Sequence, residues 1–230
     1  MKMLRLPTLS AFVLGLGFFS LPSAAAVIYS SLGPSGDVYN SSGGFGFGGS
    51  GCAFCSGTGY SDGLGFTTDG SGVFSVTSIS LGMFNDLSPN TFDVAIYTSS
   101  NGHPGTVVPG AQWDSLSTNV VQGGCCSLVT VSGITGLNLT GGDDYYLVLT
   151  PVSFTDTSFN VLAYSTTSAN QDYQYSPNGI STWTNAAVEL GGAFEIDGNA
   201  VSSTPEPSTW LLLGTGLAGL LAVRRRPASR

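Results

Sequence analysis

Four cysteines carry the most reactive side chains of this 230-residue chain: Cys52, Cys55, Cys125 and Cys126. As thiolates they could chelate zinc, but adjacent Cys125 and Cys126 reach around one tetrahedral ion poorly, and an oxidising compartment competes for them. No thioredoxin-like βαβ pattern surrounds the C-x-x-C, which argues against redox catalysis. In an exported protein disulfides are the default, and four cysteines admit three connectivities. The expected arrangement links the 52/55 pair to the 125/126 pair. A Cys52–Cys55 bridge would restrain little chain, and a bridge between neighbours is strained.

Gly59-Tyr60-Ser61-Asp62-Gly63 matches G-x-S-x-G. A hydrolase would take Ser61 as nucleophile, His103 as base and Asp86 or Asp93 to orient it. That motif needs a strand before it and a helix after it, and this stretch reads as neither. A glycosidase needs two facing carboxyls. Asp143 and Asp144 are adjacent, so on a strand they point to opposite faces. No catalytic residue is assigned. Calcium takes oxygen ligands from flexible loops, so Asp62, Asp69, Asp86, Asp93, Asp143 and Asp144 are weighed as a calcium set. There is no EF-hand spacing, turn aspartates are common for backbone reasons, and no cofactor is expected. Tyr173, Tyr175 and Trp183 stand in a stretch rich in Gln, Asn and Ser, where they could form a platform for sugar rings. The competing reading puts one or more of them in the core.

The charges bound what such residues could act upon. The chain has 14 acidic and 6 basic residues, a net charge of -8. All six basic residues lie at the ends: Lys2, Arg5, Arg224, Arg225, Arg226 and Arg230. Between Val27 and Ser203 there are 13 acids, no Lys or Arg, and His103. Such a body has no anchor for phosphates and repels acidic polymers, nucleic acids included. Cations, neutral sugars and other surfaces remain as partners.

The elements that must position these residues read as strands. Short apolar runs recur between clusters of Gly, Asn, Asp, Pro and Ser, with almost no helical periodicity. The runs are Val73 to Met83, Thr91 to Thr98, Ser127 to Val131, Tyr145 to Thr150, Phe159 to Ser165 and Ala187 to Ile196. In the second, Phe92, Val94 and Ile96 share one face. In the first, the phase slips between Val76 and Ile79, which predicts a bulge. Residues 41–72 differ in texture: 12 of the 30 residues from Gly43 to Gly72 are glycine. That segment is expected to be a loop or irregular edge held by cysteines. Asn101 to Gly105 reads as a turn. The pattern predicts an all-β domain, an antiparallel β-sandwich of jelly-roll type, over residues 27–203.

Both ends read as processing signals. Residues 1–26 have a positive start (Lys2, Arg5), an apolar stretch from Leu9 to Leu21 and small residues at Ser23 to Ala26, as in a signal peptide cut by signal peptidase before Val27. Residues 204–230 hold Pro205-Glu206-Pro207, an apolar stretch from Trp210 to Val223, and Arg224-Arg225-Arg226. As a helix, that stretch spans about 21 Å, short of the roughly 30 Å of a bilayer core. The arginines would stay cytoplasmic.

This tripartite tail resembles the PEP-CTERM sorting signal of exopolysaccharide-producing bacteria. The resemblance implies that Pro205, Glu206, Pro207 and the arginine cluster are recognised by an exosortase, a membrane protease-transpeptidase that removes the tail. The body resembles the "choice-of-anchor" extracellular domains that accompany such signals. The likeness is carried by Val76 to Leu81, Phe92 to Gly105, Gly141 to Leu149 and Trp183. It implies surface display and no defined activity. The expectation is an exported, non-enzymatic protein of the cell surface or exopolysaccharide matrix, held transiently in the inner membrane by its tail helix. A carbohydrate-binding module is the alternative, and a secreted hydrolase a further one.

Overall fold

The structure is a computed structural model in which residues 26–35, 38–169, 171–186, 190–201 and 214–216 are described. Ala24–Val201 is one compact unit, and Met1–Ser23 with Ser202–Arg230 is grouped as another. Of the latter only 214–216 are described, in helical conformation. The expected signal peptide and the rest of the sorting helix lie outside the described residues. No helix among the described residues is long and apolar enough to cross a membrane.

Among the described residues the folded unit has fourteen strands. They are β1 (Ala26–Ser30), β2 (Asn40–Gly48), β3 (Tyr60–Thr67), β4 (Gly72–Leu87), β5 (Thr91–Ser100), β6 (His103–Ser117) and β7 (Gly124–Ser132), then β8 (Asn138–Gly141), β9 (Asp144–Pro151), β10 (Phe159–Ala169), β11 (Tyr173–Pro177), β12 (Thr184–Ala186), β13 (Leu190–Gly192) and β14 (Phe194–Ala200). All pair antiparallel, along the path β1-β14-β4-β10-β2-β3-β9-β5-β6. β7 and β8 join β4, β11 joins β3 and β12, and β13 joins β10. The path is thinnest between β2 and β3, joined by the single pairing Gly48–Tyr60. There the sheet curls, and its two halves enclose one core. Across it Phe47 of β2 meets Phe92 of β5 at 5.9 Å, and Phe66 of β3 meets Phe194 of β14 at 5.6 Å between ring centroids. The all-β antiparallel class expected from the strand pattern is the class observed.

Individual elements follow their residues. Phe92, Val94 and Ile96 enter the core, as their alternation predicts. The phase slip in β4 is a real bulge: Asp197 pairs with Ser78 and Gly198 with Val76, leaving Thr77 unmatched. The Asn101 to Gly105 turn is tighter than expected. Only Asn101 and Gly102 turn, both at positive φ, and β6 begins at His103. This is the two-residue hairpin that Asn-Gly favours.

Two expectations are corrected. The Gly-rich tract 41–72 is not a loop, because it contains β2 and β3. Its Gly-Phe-Gly-Phe-Gly run is an alternation of period two, with Phe45 and Phe47 buried and the glycines facing β10. A Cβ on Gly44 would strike the Leu162 carbonyl oxygen, and one on Gly48 the Ser158 carbonyl oxygen. Close strand approach, not turning, is what these glycines permit.

The cysteines pair locally, Cys52 with Cys55 and Cys125 with Cys126, not across. The reason is that each pair is held by different neighbours. Cys52 and Cys55 are the buried residues of one surface turn, their Cα atoms 5.2 Å apart. It is closed by the Cys55 N–H donating to the Cys52 carbonyl at 3.2 Å and fixed to residues 154–156 by Ser50 and Gly51. Cys125 and Cys126 ride on β7, whose register sets Gly124 against Asn85 and Ser127 against Met83 of β4.

Candidate functional site

β3 divides the relevant side chains between two faces. Leu64 and Phe66 enter the core, and Asp62 goes with them. Ser61, Gly63 and Gly65 fall on the outer face. The period of two that buries Leu64 therefore also buries a carboxyl. Asp62 is fully buried and accepts a hydrogen bond from the Tyr173 hydroxyl at 2.8 Å, while its Oδ2 has no partner. Burial pushes its carboxyl up to about 8, against the opposing effect of the Tyr173 bond. Burial and then the neighbouring Asp62 push the Tyr173 hydroxyl up as well.

On the outer face β11 lies beside β3, with Gln174 opposite Gly63 and Ser176 opposite Ser61. A polar chain crosses here. The Tyr146 hydroxyl donates to Asp172 Oδ2. Gln174 Nε2 donates to Asp172 Oδ1 at 2.9 Å and to the Gly102 carbonyl at 3.2 Å. Gln174 Oε1 faces His103 Nδ1 at 2.9 Å. An amide oxygen only accepts, so Nδ1 donates in this bond. Burial first, then the bond to Asp172, hold the Tyr146 hydroxyl above its usual range. Beside it Ala95, Tyr97, Tyr146 and Val148 form a small apolar cluster, against which Val107 and Trp183 pack.

Next to this chain opens a cleft of about 560 Å³. Tyr29 and Ser30 of β1, Gly65 to Thr67 of β3, and Asp144 to Tyr146 of β9 form its walls, with Asp69, Ser99, Gly102, Gln171 and Asp172 completing the rim. Gln171 is pinned across it. Its Nε2 donates to the Gly65 carbonyl at 2.8 Å and to the Tyr29 hydroxyl at 3.3 Å, and its Oε1 accepts from Gly192 N–H at 2.7 Å. Thr67 donates to Asp144 Oδ1 at 2.6 Å. Three carboxylates, hydroxyls, the Gln171 amide and tyrosine rings can bind a polar ligand there.

Most of the residues singled out by sequence fall elsewhere. Ser61 is fully buried and its Oγ has no hydrogen-bond partner, so the nucleophile–base bond of a Ser–His hydrolase is absent. His103 is engaged by Gln174, and Asp93 accepts from the Ser115 backbone at 2.7 Å. The aromatic platform is divided. Tyr173 packs into the core beside Phe45, with ring centroids 4.6 Å apart, and Tyr175 follows it on the same face of β11. Trp183 lies over Gly63 on the opposite face. Strand alternation is the reason, since Tyr173 and Tyr175 share the face on which Asp62 lies. Of the calcium set, Asp69 and Asp144 reach the same cleft, with Asp143 next to Asp144, and among the described residues no three of His, Cys, Asp or Glu are placed to hold a metal. Sequence reasoning missed Tyr146, Gln171, Asp172 and Gln174. For Asp172 and Gln174 the available signal was their alternation with Tyr173 and Tyr175, which marks a strand with one polar face; nothing comparable marked Tyr146 or Gln171.

Val201 ends the folded unit, its N–H donating to the Val73 carbonyl at 2.7 Å. The chain beyond it decides the wider reading. Residues 203–226 are a PEP-CTERM protein-sorting motif. PEP-CTERM signals are recognised by exosortase-type enzymes, and the motif marks an exported protein directed to the cell surface. The match covers Pro205, Glu206, Pro207 and Arg224 to Arg226, so the PEP-CTERM resemblance is confirmed on the residues that carried it. No curated protein and no solved structure matches the chain.

Proposed function

We propose that this protein is a non-enzymatic display module of the cell surface or its exopolysaccharide matrix. Signal peptidase removes residues 1–26. The tail helix then holds the chain in the inner membrane until an exosortase-like enzyme cuts near Pro205 to Pro207 and frees the β domain from its arginine cluster. The observation that carries the reading is the PEP-CTERM motif starting two residues after the last described residue of the β unit. The placement of Ser61 and His103 supports the absence of hydrolase chemistry, and the lack of Lys and Arg in the body supports residence among neutral or cationic polymers.

The test is C-terminal mass mapping of the protein in its native cells. The extracellular form should lack Arg230. Replacing Pro205, Glu206 and Pro207 with alanine should leave a full-length chain in the membrane fraction. An extracellular natural chain that still ends at Arg230 contradicts the proposal.

A further inference from the structure

We propose that the cleft between β1, β3 and β9 is a binding site for an uncharged, hydroxyl-rich glycan. The starting observation is the cleft itself, whose volume of about 560 Å³ falls within the range of small-ligand sites. Its polar groups are held in place before any ligand arrives. Gln171 is fixed by three hydrogen bonds, and Asp172 is fixed by Tyr146 and Gln174. Preorganised groups lose little entropy on binding.

The chemistry of the lining selects the ligand. Carboxylates accept from hydroxyls, and Asp69, Asp144 and Asp172 all stand at the rim on exposed side chains. They do not converge as a metal cage, since no three of them are placed to share an ion. They serve instead as separate acceptors for separate hydroxyls. Tyr29 supplies an apolar face, its ring packed against both Phe66 and Phe194 at 5.2 and 4.8 Å between centroids. A rigid tyrosine beside fixed acceptors suits the alternating C–H and O–H surface of a sugar ring. Gly65 is part of the arrangement, because a Cβ there would press on Asp172 and on the Tyr146 ring. Anionic glycans are excluded by charge, as the domain has no Lys or Arg to receive them.

The proposal builds on the display reading, but its failure would leave that reading intact, because tail removal is measured by mass and not by binding. Affinity electrophoresis of the processed extracellular protein tests it, with dextran, mannan and hydroxyethylcellulose as neutral polymers, chitosan as a cationic one and alginate as an anionic one. At least one neutral polymer should retard the protein, and high salt should not abolish the effect. Asp69→Ala and Asp144→Ala, both at exposed positions, should each weaken retardation about tenfold, the expected loss for a hydrogen bond to a charged group. Near-ultraviolet circular dichroism confirms that each variant is folded. Three outcomes overturn the proposal: no retardation by any neutral polymer, retardation by chitosan alone that salt removes, or neutral binding unchanged in both folded variants.

Discussion

Asp62 is the residue where the fold and its chemistry conflict most. It occupies an inward position of β3 between apolar neighbours, with one oxygen bonded to Tyr173 and the other without a partner. Its folded-state value of about 8 lies above the ordinary 3.8, so between those limits the native state holds a proton that the unfolded chain has released. Stability is then greatest in acid and falls as pH rises through this window, by at most about 1.4 kcal/mol per pH unit. Asp62→Asn keeps the shape and removes the titration. Urea unfolding from pH 4 to 9 should show the natural protein weakening with pH and the variant losing most of that slope. Equal slopes in both would contradict a buried, protonated Asp62. Ser61 gives a companion prediction. Its hydroxyl is buried without a partner, so Ser61→Ala should leave the melting temperature unchanged or raise it. A marked loss of stability would mean that Ser61 has an important partner.

At the scale of elements, the glycine-rich strands distinguish this structure from a generic sandwich. β2 approaches β10 so closely that Gly44 and Gly48 have no room for a side chain. Gly44→Ala should therefore cost about 1–3 kcal/mol, the usual range for overpacking, read by urea denaturation. A neutral effect would show that β2 and β10 can separate. The Gly-Phe alternation of β2 was visible in the sequence, but glycine density suggested a loop and hid it. β5 with its apolar alternation, β9 as an unbroken apolar run and the bulge at Thr77 were legible because local apolar pattern alone marks them. The cleft was not legible. It depends on β11 lying beside β3, a pairing between segments roughly a hundred residues apart that no local pattern encodes. Disulfide pairing was misjudged for the same reason, since loop-length arguments contain nothing about which neighbours hold each turn. Non-reducing peptide mapping should recover Cys52–Cys55 and Cys125–Cys126 as separate linkages, and a peptide joining the two pairs would contradict the observed register.

At the scale of the whole β domain, its two ends differ in kind. β4 runs 16 residues, about 50 Å, from one end to the other. Beside its start lie both ends of the described domain: Ala26 pairs with Gly198, and Val201 bonds to Val73. The other end carries the Cys52–Cys55 turn with Phe54 65% exposed, and the loop with Val121 80% exposed before Cys125–Cys126. The described β domain therefore begins and ends at one end, and the disulfides sit at the other. Charge follows the same division, because every Lys and Arg belongs to the segments that the proposed processing would remove. Trypsin cuts only after Lys and Arg, and this makes it the most direct probe of the account. The extracellular protein, denatured and reduced, should have the same mass before and after exhaustive trypsin treatment. A drop in mass, with release of peptides from residues 1–26 or 225–230, would show that the cationic ends persist and would contradict export with trimming at both ends.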